Sequence, residues 1–344
     1  TSAAVTETYN SKRRLIGVFG QAELGYKNFL FLNLSARNDW SSTLPKGGNS
    51  FFYGGANLSL VLTELLPGLK ENNVDFLKVR AAVGQTGNDA DVYKTSAWFN
   101  PVKDAGYTDL PLNGVSGLTE MNTLPSTTLK PEMTTEYEFG ASANFFDNRL
   151  SFDFAYYNKV TTDQIISASL APESGYTTET RNVGKLQNQG VEIMANVTPI
   201  RTKDWEWSLG ATFSKNNSKV KELWNGLEEY TGVYNSRGVY YVLRVGQPVG
   251  EFRIPAPETV TDKNSPYYGC IVVNNNGRPN VSATEYEYLG KAEADFTMGF
   301  TTNLRWKNLS FSATADWRKG GLMYSNTAYI SHFNGNSTQT VYNE

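Results

Sequence analysis

Three observations predict an all-β fold, an antiparallel β-barrel wall that stands in a membrane. Apolar and polar residues alternate with period two in about ten stretches, each reading as a strand with one apolar and one polar face. Tight turns and long connections take turns along the chain. Aromatic residues gather at the ends of the alternating stretches. No stretch shows a convincing amphipathic helix.

The strands follow in order. Residues 16–26 place Ile16, Val18, Ala22 and Leu24 on one face. Residues 29–39 set Leu30, Leu32, Leu34 and Ala36 against Asn33, Ser35, Arg37 and Asp39. Residues 52–62 and 77–84 repeat the pattern, the latter with Leu77, Val79, Ala81 and Val83 against Lys78 and Arg80. In residues 137–145, Tyr137, Phe139, Ala141, Ala143 and Phe145 oppose Glu138, Gly140, Ser142 and Asn144. Asp147-Asn148-Arg149 then turns the chain into Leu150, Phe152, Phe154 and Tyr156. Residues 190–197, 205–214, 296–306 and 309–317 complete the set.

Short connections fall at Tyr26-Lys27-Asn28, Asp147-Asn148-Arg149, 201–204 and Lys307-Asn308, with a fifth at 66–75 carrying Pro67-Gly68. Long loops are expected at about 89–133, 164–181 and 217–294. Compact soluble domains rarely hold loops beyond about 12–15 residues. Tyr26, Phe29, Phe145, Phe146, Trp205, Trp207 and Trp306 lie beside the short turns, and Trp40, Phe51, Phe52 and Trp317 near the far ends. Two such belts suit two membrane interfaces. Rings capping a soluble core are the plainer reading. The polar faces are rich in Ser, Thr, Asn and Gly, which favours a lumen packed against protein over a water-facing surface.

Composition narrows the function. No apolar run reaches the roughly 20 residues of a spanning helix, and a mean hydropathy of -0.43 agrees. Net charge is -3, and no Lys/Arg run points to nucleic acid. A single cysteine, Cys270, leaves no internal disulfide, and with one histidine, His332, no zinc site is expected. No metal or other cofactor is expected. Residues 1–10 do not read as a signal peptide, so either a mature chain or a piece of a longer one is implied.

Five long stretches, taken together, carry a resemblance: "SARNDWSSTLPKGGNSFFY" (35–53), "LKVRAAVGQTGND" (77–89), "LKPEMTTEYEFGASANFFDNRLSFDFAYYNKVTTDQI" (129–165), "NVGKLQNQGVEI" (182–193) and "DFTMGFTTNLRWKNLSFSATADWRKGGLMYS" (295–325). In this order they resemble the barrel of SusC/RagA-family TonB-dependent transporters of Bacteroidetes outer membranes. The resemblance implies a 22-stranded barrel with a plugged lumen, of which this chain supplies about ten strands. By that comparison the signal, plug domain, early strands and about four last strands lie elsewhere. It further implies import of an oligomeric nutrient, glycan or peptide, with a SusD-like surface lipoprotein over the long-loop end. TonB would act through the N-terminal region. A dimer of transporter–lipoprotein pairs in outer-membrane lipid and lipopolysaccharide is also implied. Relatives often carry an acidic Gly-containing loop where this chain reads "VVNNNGRPN" (272–280), so no Ca²⁺ is expected there.

Candidate site residues follow from the alternation. Arg37, Asp39, Glu136, Glu138, Asp316 and Arg318 are expected to face the lumen. Trp98, Phe99, Tyr107, Trp224, Tyr230, Tyr234, Tyr240 and Tyr241 in the long loops are candidates for substrate or lid contact, with mutual packing as the plainer reading. "DWRKGG" (316–321) reads as a strand end, where Arg318 and Lys319 pair with acids or lipopolysaccharide phosphates. "LPKGGNS" (44–50) lacks the spacing of a phosphate loop. Paired carboxylates stand at Glu136 with Glu138 and at Glu228 with Glu229; the first pair shares a strand face at glycosidase spacing, but no accompanying subsite is seen. No catalytic residue, and no enzyme, is expected. A soluble all-β carbohydrate-binding module and a siderophore- or cobalamin-type receptor remain as other readings.

Overall fold

A computed structural model describes residues 10–102 and 117–338. Ten strands form one sheet: β1 (Leu15–Tyr26), β2 (Leu30–Ser41), β3 (Ser50–Val61), β4 (Val74–Asn88), β5 (Glu132–Phe145), β6 (Leu150–Thr162), β7 (Lys185–Arg201), β8 (Trp205–Glu222), β9 (Phe296–Trp306) and β10 (Leu309–Lys319). Spatial order equals chain order and each pair is antiparallel, so the sheet is an up-and-down meander.

Local chemistry sets the short turns. Lys27 and Asn28 both take positive φ, 47° and 58°, and Phe29 N–H closes on Tyr26 O at 3.2 Å. Asp147 and Asn148 do the same at 57° each, closed by Arg149 N–H on Phe146 O at 3.2 Å. Two central residues with φ > 0 make a turn whose twist matches the flanking strands, and Asn and Asp tolerate it best. Pro199 lies where the β7–β8 register slips between Val197 and Ile200. A bulge is one of the few places a strand admits proline.

Register turns the alternation into continuous faces. One row of cross-strand partners reads Tyr26, Leu30, Leu60, Val79, Ala141, Phe154, Ile193, Phe213, Met298 and Trp317 across all ten strands. The row starts beside a short turn on β1 and finishes near the long-loop end of β10. Strands therefore climb past one another, the stagger that closes barrels.

No second sheet covers the apolar face among the described residues: Val18, Phe139 and Phe311 are 63%, 59% and 60% exposed. That removes the soluble sandwich, whose apolar faces meet each other. An unbroken apolar surface of this extent needs lipid or protein against it. No described helix is long and apolar enough to cross a membrane.

The buried clusters lie at the long-loop end. Leu44, Phe51, Ala90 and Leu129 form one, and Leu186, Val220, Leu223 and Leu243 the other. Phe51 thus departs from the expected aromatic belt. It pairs with Asp39 on the polar face and is 7% exposed. Its neighbour Phe52, at 66%, is the belt residue.

The long connections also differ from plain loops. β8 runs to Glu222, past the expected loop start at 217. Beyond it, Glu229–Ser236, Val239–Arg244, Glu251–Pro257 and Val281–Lys291 make a four-stranded sheet. Ile165–Ser169 and Thr178–Asn182 form a hairpin that takes up most of the 164–181 segment and ends one residue beyond it. A two-turn helix, Asn326–Phe333, follows β10, where no helix was expected; Ser325 caps it by accepting from Ala328 N–H at 3.2 Å.

Candidate functional site

The polar face is built from long side chains lying flat over glycines. Arg80 on β4 sits opposite Gly140 on β5, where a Cβ would stand 2.4 Å from the guanidinium carbon. The bare glycine lets Arg80 reach across β5 to β6. There it grips Asp153 with two bonds of 3.1 Å each, and it also donates to Glu138 at 3.0 Å and Ser142 at 3.2 Å. Ser142 donates to the same Asp153 at 2.5 Å. The fork-shaped guanidinium suits this bidentate grip. Tyr157 lies over Gly190 in the same way.

A second network ties β2 to β3. Arg37 Nε donates to both oxygens of Asp39, at 2.8 and 3.0 Å, and Tyr53 O–H donates to Asp39 at 2.6 Å. Asp39 is 3% exposed. Arg37, Asp39, Glu136, Glu138, Asp316 and Arg318 all fall on the polar face by register. They do not converge. Glu136 faces Lys159 across β6 and lines a recess of about 290 Å³. Arg318 bonds Ala292 O at 3.1 Å, and Gly320 and Gly321 follow with φ of 71° and 80°.

Of the loop rings, Trp98 and Phe99 are 42% and 59% exposed. Tyr107 lies outside the described residues, and Tyr234 is placed only by its backbone pairing with Tyr241. Trp98 meets the Tyr93 ring at 6.5 Å, and the others are engaged within the chain as well. Arg181 stacks over Trp224 at 4.8 Å, Tyr230 donates to Ser167 O at 2.6 Å, Arg253 lies 5.3 Å from the Tyr240 ring, and Tyr241 meets Phe252 edge-on at 5.4 Å. Burial pushes the Tyr230 and Tyr241 phenols above their ordinary value.

One member of each acid pair is engaged: Glu138 by Arg80, and Glu229 by Arg253 and by Tyr288 O–H at 2.7 Å. His332 sits in the two-turn helix.

Three residues that sequence reasoning did not single out hold the architecture. Asp153 is the anchor of Arg80. Glu293 accepts from Asn216 and from Ser218 N–H and O–H, at 3.3 and 2.7 Å for the latter two, and so pins the loop sheet to β8. Asp89, beyond the end of β4, accepts from Arg13, Ser41 and Thr43. Burial alone would raise its carboxyl, but these bonds and the Arg13 charge outweigh burial and hold it below the ordinary value.

A staggered antiparallel meander, apolar and open on one face and ion-paired on the other, with tight turns at one end and folded loops at the other, defines a segment of an outer-membrane β-barrel wall. The family model described as TonB dependent receptor-like, beta-barrel matches residues 1–248, and the chain belongs to that family of outer-membrane barrels. It is 29% identical to TonB-dependent receptor P3 of Formosa agariphila over 91% of this chain and 32% of that protein. It is 26% identical to TonB-dependent receptor SusC of Bacteroides thetaiotaomicron over 88% of this chain and 31% of that protein. In fold it matches the RagAB peptide transporter structure, with a TM-score of 0.76 and 23% identity over 93% of this chain and 35% of that one. The chain spans about a third of the length of these proteins.

Proposed function

We propose that this chain forms part of the wall and the long-loop end of a transporter that imports an oligomeric nutrient, glycan or peptide, across the outer membrane under TonB control. The observation that carries this reading is the ten-stranded sheet whose apolar face is continuous while its polar face is tied down by ion networks. Lipid accounts for the first face and a protein-filled lumen for the second. Its likeness to SusC and to the RagAB transporter supports pairing with a SusD-like surface lipoprotein over the loops. The wall does no covalent chemistry: Asp39, Glu138, Asp153 and Glu229 are held by Arg37, Arg80 and Arg253.

The test uses the native protein in its own membrane. Cells lacking it should lose growth on at least one oligomeric carbon or nitrogen source while keeping growth on the monomers. The same loss should follow deletion of TonB. Extraction in mild detergent should bring a lipoprotein with it. Unchanged growth on every oligomer, together with a protein that purifies alone, would overturn the reading.

A further inference from the structure

Near its long-loop end, β8 faces two ways. Lys215, Asn217 and Lys219 are exposed, while Asn216, Ser218 and Val220 between them are half-buried or buried. The loop sheet holds the covered side: Glu293 accepts from Asn216 and Ser218, and Val220 packs with Leu243. The two lysines therefore point away from the loops, in continuation of the apolar face through Ala211 and Phe213. β8 is flanked by β7 and β9, so this face is complete around it. On β10, Lys319 overlies the Phe296 ring at 6.0 Å, whereas Arg318 turns inward to Ala292 O. Phe296 is the partner of Lys319 and stands one step beyond the Ser214–Thr297 pair, beside Lys215. Lys215 and Lys319 thus flank one ring, about 10 Å apart across two strand spacings, and Lys219 follows about 13 Å further along β8.

None of these three lysines makes an ion pair among the described residues. An acid on this face, Glu222, comes only beyond the bulge, opposite Lys185. At the same end of the early strands the outward positions are Asn38, Gln85 and Thr135, without charge. Three unpaired cations above a lipid-facing surface call for an anion at headgroup height. Below Phe213 and Trp317 the same face holds a recess of about 420 Å³, lined by Ala195, Ala211, Ala313 and Ala315. It opens to the membrane, where an apolar chain fills it. We propose that Lys215, Lys219 and Lys319, with this recess below them, form a site for an outer-leaflet glycolipid that bears phosphate on its headgroup; the proposal rests on the long-loop end facing outward. A phosphate monoester carries about −1.5 to −2 charges at neutral pH, and lysine meets it as a point charge. Cations spread over about 10 Å suit a headgroup with more than one phosphate. A zwitterionic headgroup brings its own cation to the patch and gains less. The acyl chains run down past the rings into the recess.

The experiment uses the full-length protein in detergent, titrated with lipids and read by native mass spectrometry. The probes are an acylated disaccharide with two phosphates, the same lipid without phosphate, and phosphatidylglycerol. Wild type should prefer the diphosphorylated lipid to both others by at least about tenfold. The triple variant Lys215→Gln, Lys219→Gln, Lys319→Gln changes only exposed side chains and should bind it at least about tenfold more weakly. Lys27→Gln and Lys307→Gln, at the short-turn end, should leave binding unchanged. Ala211→Phe, which fills the recess, should weaken it about threefold with the lysines in place. Equal binding by wild type and the triple variant would overturn the proposal. So would equal binding of the phosphate-free lipid or of phosphatidylglycerol, and so would an equal loss in the short-turn variants. Loss of a co-extracted lipoprotein from the triple variant, with lipid binding intact, would make the patch a protein-docking face and overturn it too. Growth on oligomers is not the readout, so failure of the transporter reading leaves the lipid site standing.

Discussion

The first six strands and the last three are stitched together by different forces. Across β4, β5 and β6 the bond is ionic and lies on the polar face, where Arg80 spans three strands to Asp153. Across β8, β9 and β10 it is aromatic and lies on the apolar face. Trp205 stacks on Trp306 at 5.5 Å, Phe213 meets Phe296 at 5.8 Å, and Phe296 meets Trp317 edge-on at 5.1 Å. The polar face there is uncharged at its middle, with Thr212, Thr301 and Thr314; Asp316 and Arg318 stand toward the long-loop end of β10, and the ion pair of Arg305 with Glu206 is exposed beside the turns. The difference teaches where each half meets its partners. Fixed charges in the early half make a rigid lumen wall, and stacked rings in the late half grip the membrane side.

The largest effect should come from cutting the ionic stitch. Arg80→Met leaves Asp153 and Glu138 without their cation. Both are partly open to solvent, so screening limits the cost to about 2–3 kcal/mol. The midpoint of unfolding, followed by gel migration of the intact barrel in urea, should fall accordingly. An unchanged midpoint would show that the network is decorative.

Next is Asp89, which fastens the lead into β1 and the β2 end to the end of β4. Its folded carboxyl lies below the ordinary value near 3.8. Its contribution is therefore complete above that value and is lost as pH falls through the lower folded one. Asp89→Asn should cost about 1.5–2 kcal/mol at neutral pH. The gap between variant and wild type should narrow only on acidification below about pH 4. A gap that persists undiminished at pH 2 would assign the effect to shape, not charge.

How much of this was legible in the sequence differs by region for physical reasons. The wall was legible because lipid and lumen impose strict alternation: residues 296–306 are the strand Phe296–Trp306 from end to end. The alternation fades where strands rise past the membrane, so the last turns of β8, through Asn217 and Lys219 to Glu222, read as loop. The loop sheet from Glu229 to Lys291 has no single apolar face, and the helix Asn326–Phe333 is too short to show a period. The Arg80–Asp153 pair was invisible because its partners are 73 residues apart and only the register brings them together.

The aromatic stitch should yield a smaller effect that depends on both partners. A double-mutant cycle on Phe296→Leu and Trp317→Leu should give a coupling of about 0.5–1.5 kcal/mol. The same cycle on Leu32 and Leu58, paired across β2 and β3 without ring contact, should give less.

The smallest effect is the most informative about the neutral half. Thr301 on β9 faces Gly210 and Thr314 across its two neighbours and carries no charge. If that face serves as a passive lining, Thr301→Val removes one hydroxyl and should move the unfolding midpoint by less than about 0.5 kcal/mol. A loss approaching that of Arg80→Met would mean that the neutral half is also locked from the lumen side, by whatever fills the barrel, and the contrast between the two halves would dissolve.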